Sequence, residues 1–218
     1  MNAMWIWSIL FLLGAYHGLN PAMGWLFAVA LGLQEKTGRA IINSLIPLGL
    51  GHLMSVALVL GVAQAVRSTF PLGKVRILAA TVMVVFGVYR FVRRSHPRWV
   101  GMRVGPRDLA LWSFLMASAH GAGLMLLPFM LAYPQPPKLA GHVHSMMLAS
   151  AMQTSSSATM QWWAPVGLHT LGYLLATASI ALVVYYKLGV AFLRRAWFNL
   201  DLLWVGALFA MGALTLVS

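Results

Sequence analysis

The sequence contains no cysteine, so disulfide bonds, thiolate metal sites and dithiol redox chemistry are excluded. Acidic residues are almost as scarce: the only three are Glu35, Asp108 and Asp201, each near the end of an apolar segment. Proton relays through buried carboxylates are therefore excluded, as are the carboxylate-rich sites that Ca²⁺ and Mg²⁺ prefer. Any metal ion must bind to nitrogen, oxygen or thioether sulfur.

Charged residues make up only 8% of the chain and hydrophobic residues 61%, a composition typical of a polytopic membrane protein. A helix needs about 20 predominantly apolar residues to cross a bilayer, and six runs of that kind occur. Their bounds are 5–33, 40–66, 75–92, 109–132, 164–186 and 197–217. We therefore predict an all-α integral membrane protein in which residues 1–218 form a single membrane domain with six transmembrane helices.

The formal net charge of +12 would suggest nucleic-acid binding in a soluble protein, but here the basic residues lie between apolar runs. There they act as topology signals, because cytoplasmic loops are enriched in Lys and Arg. One predicted face carries most of them: Lys36, Arg39, Arg90, Arg93, Arg94, Arg98, Arg103, Arg107, Lys187, Arg194 and Arg195. The other carries Arg67, Lys74, Arg76 and Lys138. We predict a bacterial-type inner membrane protein with both termini outside the cytoplasm and no nucleic-acid partner.

Four histidines lie inside the predicted spans: His17, His52, His120 and His169. Ionisable groups cost a few kcal/mol each in a bilayer and therefore tend to be functional. His17 is roughly 18 Å from the outer end of its span, near the midplane, whereas His169 is only about 10 Å from the outer end and is the weaker case. Each could instead be a neutral imidazole hydrogen-bonded between helices. The prediction is that at least two of them share a ligand or a proton path.

Two pairs of similar segments suggest that the chain consists of two related halves. The His-Gly pair at His17 is matched by the pair at His120, and segment 47–52 is matched by segment 165–169. Three spans per half is an odd number, so the second half would enter the membrane from the opposite side. Such inverted repeats are common in transporters, whose substrate sites lie near the midplane at the repeat interface. The predicted repeats are 1–94 and 108–218, with an outer loop insertion at 133–163.

Imidazole nitrogens suit ions of Ni, Co, Zn, Cu and Fe, among which the sequence does not distinguish. Pro21 removes a backbone donor beside His17, so the first span is expected to kink or unwind there. Polar or thioether side chains near the histidines are candidates for further ligands or orienting groups. Together with Pro21, these supporting residues are Asn20, Met23, Ser55, Ser118 and Met125.

The predicted outer loop contains His142 and His144 among several methionines. These side chains could capture a soft or borderline ion before it enters the membrane. The alternative, which we favour, is an amphipathic loop that rests on the membrane, since methionine is more often a packing residue than a ligand.

Three motifs have counterparts in a known group of transporters: His17-Gly18, Gly51-His52-Leu53-Met54-Ser55, and Phe86-Gly87-Val88-Tyr89-Arg90 continuing to His96. With two sets of three spans around a basic loop, the chain resembles the LysE superfamily, and within it the nickel and cobalt permeases of the NicO and HupE/UreJ types. The resemblance implies a six-helix permease with His17 and His52 as metal-site candidates. The His-x4-Asp-His signature of the nickel permeases is absent, so the identity of the metal stays open.

Together these patterns predict a membrane transporter or permease that moves a transition-metal cation or another small solute through a histidine-lined midplane site. A second hypothesis is a redox or enzyme subunit that binds b-type haem or a metal ion. A third is an accessory membrane subunit that stabilises or metallates a partner enzyme. The expected partners are the lipid bilayer, the small cation or solute, and either further copies of the chain or other membrane subunits.

Overall fold

The computed structural model describes residues 3–92, 104–132, 147–188 and 200–217, and all regular secondary structure within them is helical. The predicted all-α class is therefore confirmed. In chain order the α-helices are α1 (Ala3–Leu19), α2 (Trp25–Gln34), α3 (Gly38–Thr69), α4 (Leu72–Val92), α5 (Pro106–Ala119), α6 (Ala122–Ala132), α7 (Met147–Val183) and α8 (Leu200–Val217). A 3₁₀ turn at Pro21–Met23 joins α1 to α2, and a π-helical turn at Val184–Leu188 continues α7.

Three of the described helices are long and apolar enough to cross a membrane: Gly38–Thr69, Leu72–Tyr89 and Trp163–Leu188. The pair α5 and α6, bent by 57°, forms a fourth candidate span if the two helices are taken together. Shorter apolar helices cover Trp5–Leu19, Trp25–Glu35 and Val205–Val217. Several spans of this kind are typical of a helical membrane protein, whereas the full number of six stays a prediction.

The first predicted span is broken beside His17, as the proline at position 21 leads one to expect. The Asn20 side chain accepts a hydrogen bond from the Ala22 backbone N–H at 3.0 Å and so caps the 3₁₀ turn, whose first residue is Pro21. Gly24 then adopts φ 134°, a conformation that side chains with a Cβ rarely tolerate. The chain leaves this turn as α2.

The fourth predicted span is also broken, between α5 and α6, without a proline at the bend. The His120 N–H closes the last turn of α5 by donating to the Met116 carbonyl at 2.9 Å. Gly121 has φ 70°, the left-handed conformation that commonly ends helices, and α6 begins at the next residue. Both breaks therefore lie within four residues of a His-Gly pair.

The helix α7 is longer than the fifth predicted span, because it begins at Met147 instead of near residue 164. Residues 147–163, predicted as part of the outer loop insertion 133–163, are thus helical. The segment contains Ala, Met and Gln, which favour helix, and neither Gly nor Pro. Its Ser and Thr residues suggested a loop, but in a helix they cost only a few tenths of a kcal/mol each.

Close backbone contacts set the register between neighbouring helices. A Cβ added at Gly14 would overlap the His169 carbonyl oxygen, and one added at Gly18 would meet the Tyr173 carbonyl, so α1 and α7 run parallel. A Cβ at Gly51 would likewise overlap the Ala110 carbonyl, which joins α3 to α5. Small residues permit this approach of helices in membranes. The helices α4 and α8 form the third packed pair.

Candidate functional site

Three histidines from three helices lie ring to ring where α1, α3 and α7 meet. The ring centroids of His17 and His169 are 5.0 Å apart, those of His52 and His169 are 5.3 Å apart, and those of His17 and His52 are 5.8 Å apart. Each of the three side chains is fully buried, with 0% exposure. We call these three residues the histidine cluster. His169, the weaker case by sequence, is a full member.

Backbone carbonyls of α1 orient two of the three rings. His17 Nδ1–H donates to the Leu13 carbonyl at 2.7 Å, and His169 Nδ1–H donates to the Leu10 carbonyl at 3.3 Å. A carbonyl oxygen only accepts, so Nδ1 carries the proton in both rings and the lone pair of the neutral imidazole is at Nε2. Histidines that bind metals through one nitrogen commonly donate from the other in this way.

His52 differs from the other two members. Within the described part of the chain, neither of its ring nitrogens has a hydrogen-bond partner. Its ring instead lies nearly parallel to that of Tyr173, with centroids 4.1 Å apart and an angle of 11° between the planes. A buried polar group without a partner costs about 1–3 kcal/mol, so this position is unfavourable unless something else binds there.

Tyr173, which sequence reasoning did not single out, connects the cluster to the break in the first span. Its hydroxyl donates to the Met23 carbonyl at 2.7 Å. The Ser113 hydroxyl lies 3.4 Å from the Tyr173 oxygen and donates to the Leu48 carbonyl at 2.7 Å. The sequence did contain a signal, because Tyr173 follows His169 by four residues and therefore shares its helix face.

His120 has the same backbone anchor as His17, since its Nδ1–H donates to the Met116 carbonyl at 2.8 Å. It is buried at the second break. The predicted supporting residues Ser55 and Ser118 contact each other directly, with their hydroxyl oxygens 2.8 Å apart, and so join α3 to α5. His120 is thus held within α5, and the two serines hold α3 and α5 together.

The remaining predicted site residues have structural surroundings. Asn20 caps the 3₁₀ turn that begins at Pro21, and Met23 is a buried core residue whose carbonyl accepts from Tyr173. Met125 is fully buried in an apolar group of side chains that includes Leu208. His142 and His144, the predicted outer capture residues, lie outside the described residues.

The cluster does not form a ready-made metal site. Among the described residues, no group of three or more His, Cys, Asp or Glu side chains has the geometry to hold a metal ion. The described acids Glu35 and Asp108 are exposed near helix ends. A cation bound at the cluster would therefore have imidazole nitrogens as ligands, and at least one ring would have to turn toward it.

The apolar helices, the scarcity of charge and the buried polar cluster together define a helical membrane protein. Comparison with models of protein families, with curated proteins and with solved structures found no match. The resemblance to the LysE superfamily stays a prediction, and what the protein does must be inferred from its own residues.

Proposed function

We propose that the protein is a membrane transporter that moves a transition-metal cation through the histidine cluster. The observation that carries this proposal is the meeting of His17, His52 and His169, fully buried, within 5.8 Å of one another. Imidazole is a ligand for Ni, Co, Zn, Cu and Fe ions, whereas Mg²⁺ and Ca²⁺ require oxygen ligands. A polar cluster of this kind inside an apolar bundle is otherwise unfavourable.

Binding would proceed by rotation of one ring. His17 and His169 are held by their Nδ1 hydrogen bonds, while His52 has no hydrogen bond to lose. Turning His52 toward Nε2 of the other two would bring three nitrogens together around a cation. A site assembled in this way suits transport, because the ion must be bound firmly enough to enter and weakly enough to leave.

The proposal includes six spans arranged as a 3+3 inverted repeat. In such a repeat, the first span of each half runs in the same direction as the second span of the other half. The parallel contacts of α1 with α7 and of α3 with α5 agree with this arrangement. The pairing of α4 with α8, the third span of each half, agrees with it as well. The bias of basic residues then assigns both termini to the outside of a bacterial-type inner membrane.

Uptake into proteoliposomes tests the proposal. Purified protein is reconstituted and uptake of Ni²⁺, Co²⁺, Zn²⁺, Cu⁺ and Fe²⁺ is measured separately for the parent, His52→Ala and His169→Ala. We expect both variants to bind the transported ion at least about tenfold more weakly, since even outer-shell partners of metal ligands contribute this much. Thr81→Ala is the matched control, because Thr81 is an exposed residue of α4 that bonds only to its own helix in the described structure.

Equal uptake by the histidine variants and Thr81→Ala would contradict the proposal. An absorption spectrum of the same purified protein separates the main alternative. A Soret band that is lost in His52→Ala would establish a haem subunit instead of a metal-ion transporter. A His142→Ala, His144→Ala double variant with an unchanged apparent KM would remove the outer capture role and leave the central site intact.

A further inference from the structure

We infer that Tyr173 is a positioning residue that couples the orientation of His52 to the helix break at residues 20–24, and so controls opening of the cluster on that side. This inference rests on the proposed transport function. The Tyr173 side chain makes two different contacts. The ring of Tyr173 stacks on His52 at 4.1 Å, and its hydroxyl donates to the Met23 carbonyl at 2.7 Å.

The break in the first span is held by aromatic donors. Carbonyl groups near a helix break lose partners within the helix and need other donors. The Leu19 carbonyl accepts from Trp25 Nε1 at 3.1 Å, and the Ala22 carbonyl accepts from Trp112 Nε1 at 2.8 Å. The Met23 carbonyl accepts from Tyr173, which is the one of these three donors that also stacks on a histidine of the cluster.

The second contact of the Tyr173 hydroxyl reaches the helix that carries His52. Ser113 lies 3.4 Å from this hydroxyl and donates to the carbonyl of Leu48, one turn before His52 on α3. Two neighbouring hydroxyl groups, those of Tyr173 and Ser113, therefore connect the break, α3, α5 and α7. A change in the angle of the His52 ring is transmitted to all of them through the ring of Tyr173.

Ion binding and opening are linked by this arrangement. When His52 turns to bind a cation, it leaves the parallel stack with Tyr173 and frees that ring to move. Movement of the ring breaks the bond to Met23, and the turn that begins at Pro21 loses one of its holding contacts. Because α1 and α7 run parallel, Tyr173 lies on the same side of His169 as the break that follows α1. In the proposed topology this is the cytoplasmic side.

Tyr173→Phe separates the two contacts, because it keeps the stacked ring and removes the hydroxyl. We expect the KM for the transported ion to stay within about twofold of the parent, while the maximal rate of uptake changes by about fivefold or more, the equivalent of one net hydrogen bond. Tyr173→Leu, which also removes the stacked ring, should raise KM as well. A raised KM with an unchanged maximal rate in Tyr173→Phe would overturn the inference.

Trp112→Phe is the matched control. It removes a donor from the same break, but the Trp112 ring packs against Phe27, with centroids 5.1 Å apart. If Tyr173 couples the cluster to the break, Trp112→Phe should change the maximal rate much less than Tyr173→Phe. Equal changes in the two variants would mean that the stability of the break alone matters, and the coupling role would be wrong.

A reporter that does not depend on the transported ion keeps the two proposals distinguishable. The chain has no cysteine, so Ala28→Cys introduces a single thiol at a buried position of α2, just after the break. We expect a membrane-permeant maleimide to label it about fivefold faster when Tyr173→Phe is added. Leu60→Cys, buried in α3 eight residues beyond His52, should label at the same rate in both backgrounds.

The labelling and uptake measurements test the two proposals separately. Faster labelling of Ala28→Cys in the Tyr173→Phe background, without any metal uptake by the parent, would support the control of the break and contradict the proposed cargo. Metal uptake with unchanged labelling would support the cargo and overturn the inference. If Tyr173→Phe does not fold, Ser113→Ala removes a neighbouring part of the same network, and labelling of Ala28→Cys should again be faster than in the parent.

Discussion

Replacing His52 with phenylalanine tests whether the cluster is built for a ligand at the expense of stability. The aromatic ring stacked on Tyr173 is retained, whereas the two nitrogens that lack partners are removed. Two buried groups of this kind cost about 2–6 kcal/mol at about 1–3 kcal/mol each. The phenyl ring is larger than imidazole and overpacks the site, which lowers the free energy of unfolding by about 1–3 kcal/mol. We expect a net increase of about 1–3 kcal/mol in the free energy of unfolding.

The assay is reversible unfolding in mixed detergent micelles containing a chelator, with His169→Phe as the comparison. That substitution removes only one nitrogen without a partner, incurs the same cost of the larger ring, and loses the hydrogen bond to the Leu10 carbonyl, worth about 1 kcal/mol, so it should lower the free energy of unfolding by about 1 kcal/mol. Both variants should lose uptake. If His52→Phe is instead less stable than the parent by more than about 1 kcal/mol, its nitrogens are satisfied in the folded protein and the reasoning is refuted.

Two further pairs of substitutions test the framework around the cluster. Gly14→Ala should lower the free energy of unfolding by about 1–3 kcal/mol, because the new Cβ overlaps the His169 carbonyl, whereas Gly61→Ala, with open space around it, should be neutral or slightly stabilising. An equal effect of the two glycine substitutions would contradict the close approach of α1 and α7. Asn20→Ala should cost about 1 kcal/mol by removing the cap on the Ala22 N–H, and Asn20→Ser, which keeps an acceptor, should recover part of it in the same unfolding measurement. An Asn20→Ala variant as stable as the parent would mean that the cap contributes nothing to the break.

The coarse fold follows from the sequence because a bilayer leaves few choices. Scarce charge and long apolar runs favour helices, since every backbone group must be hydrogen-bonded within its own segment. The first break was also predictable, because Pro21 lacks the N–H that a continuous helix requires. The second break was not predicted. Its bend depends on the positive φ of Gly121, and a glycine alone does not indicate a break because glycine is also frequent inside continuous membrane helices.

The histidine cluster was only partly predictable, since which side chains meet depends on the register between helices. His17, His52 and His120 were the stronger histidine candidates by sequence; the first two belong to the cluster, whereas the third place is taken by His169 and His120 lies at the second break. His169 was judged by its distance from the expected outer end of its span, and the apolar span does begin only six residues before it, at Trp163. Its place in the cluster follows instead from the close approach of Gly14 to the His169 carbonyl, which the spacing of residues along one helix does not predict.

The register between α1 and α7 also explains why Tyr173 was not predicted as a site residue. A tyrosine in an apolar span is ordinarily an amphipathic packing residue, and the local signal here is limited to its spacing of four residues from His169. It acquires its contacts because Gly14 and Gly18 let α1 approach the backbone of α7. That approach brings the carbonyl of Met23 within reach of the Tyr173 hydroxyl and His17 within reach of His169. The contact of α1 with α7 thus fixes both the cluster and the group proposed to control it. A substitution at Gly14 should therefore change ion binding and the labelling of Ala28→Cys together. Tyr173→Phe should change the labelling of Ala28→Cys and leave ion binding unchanged.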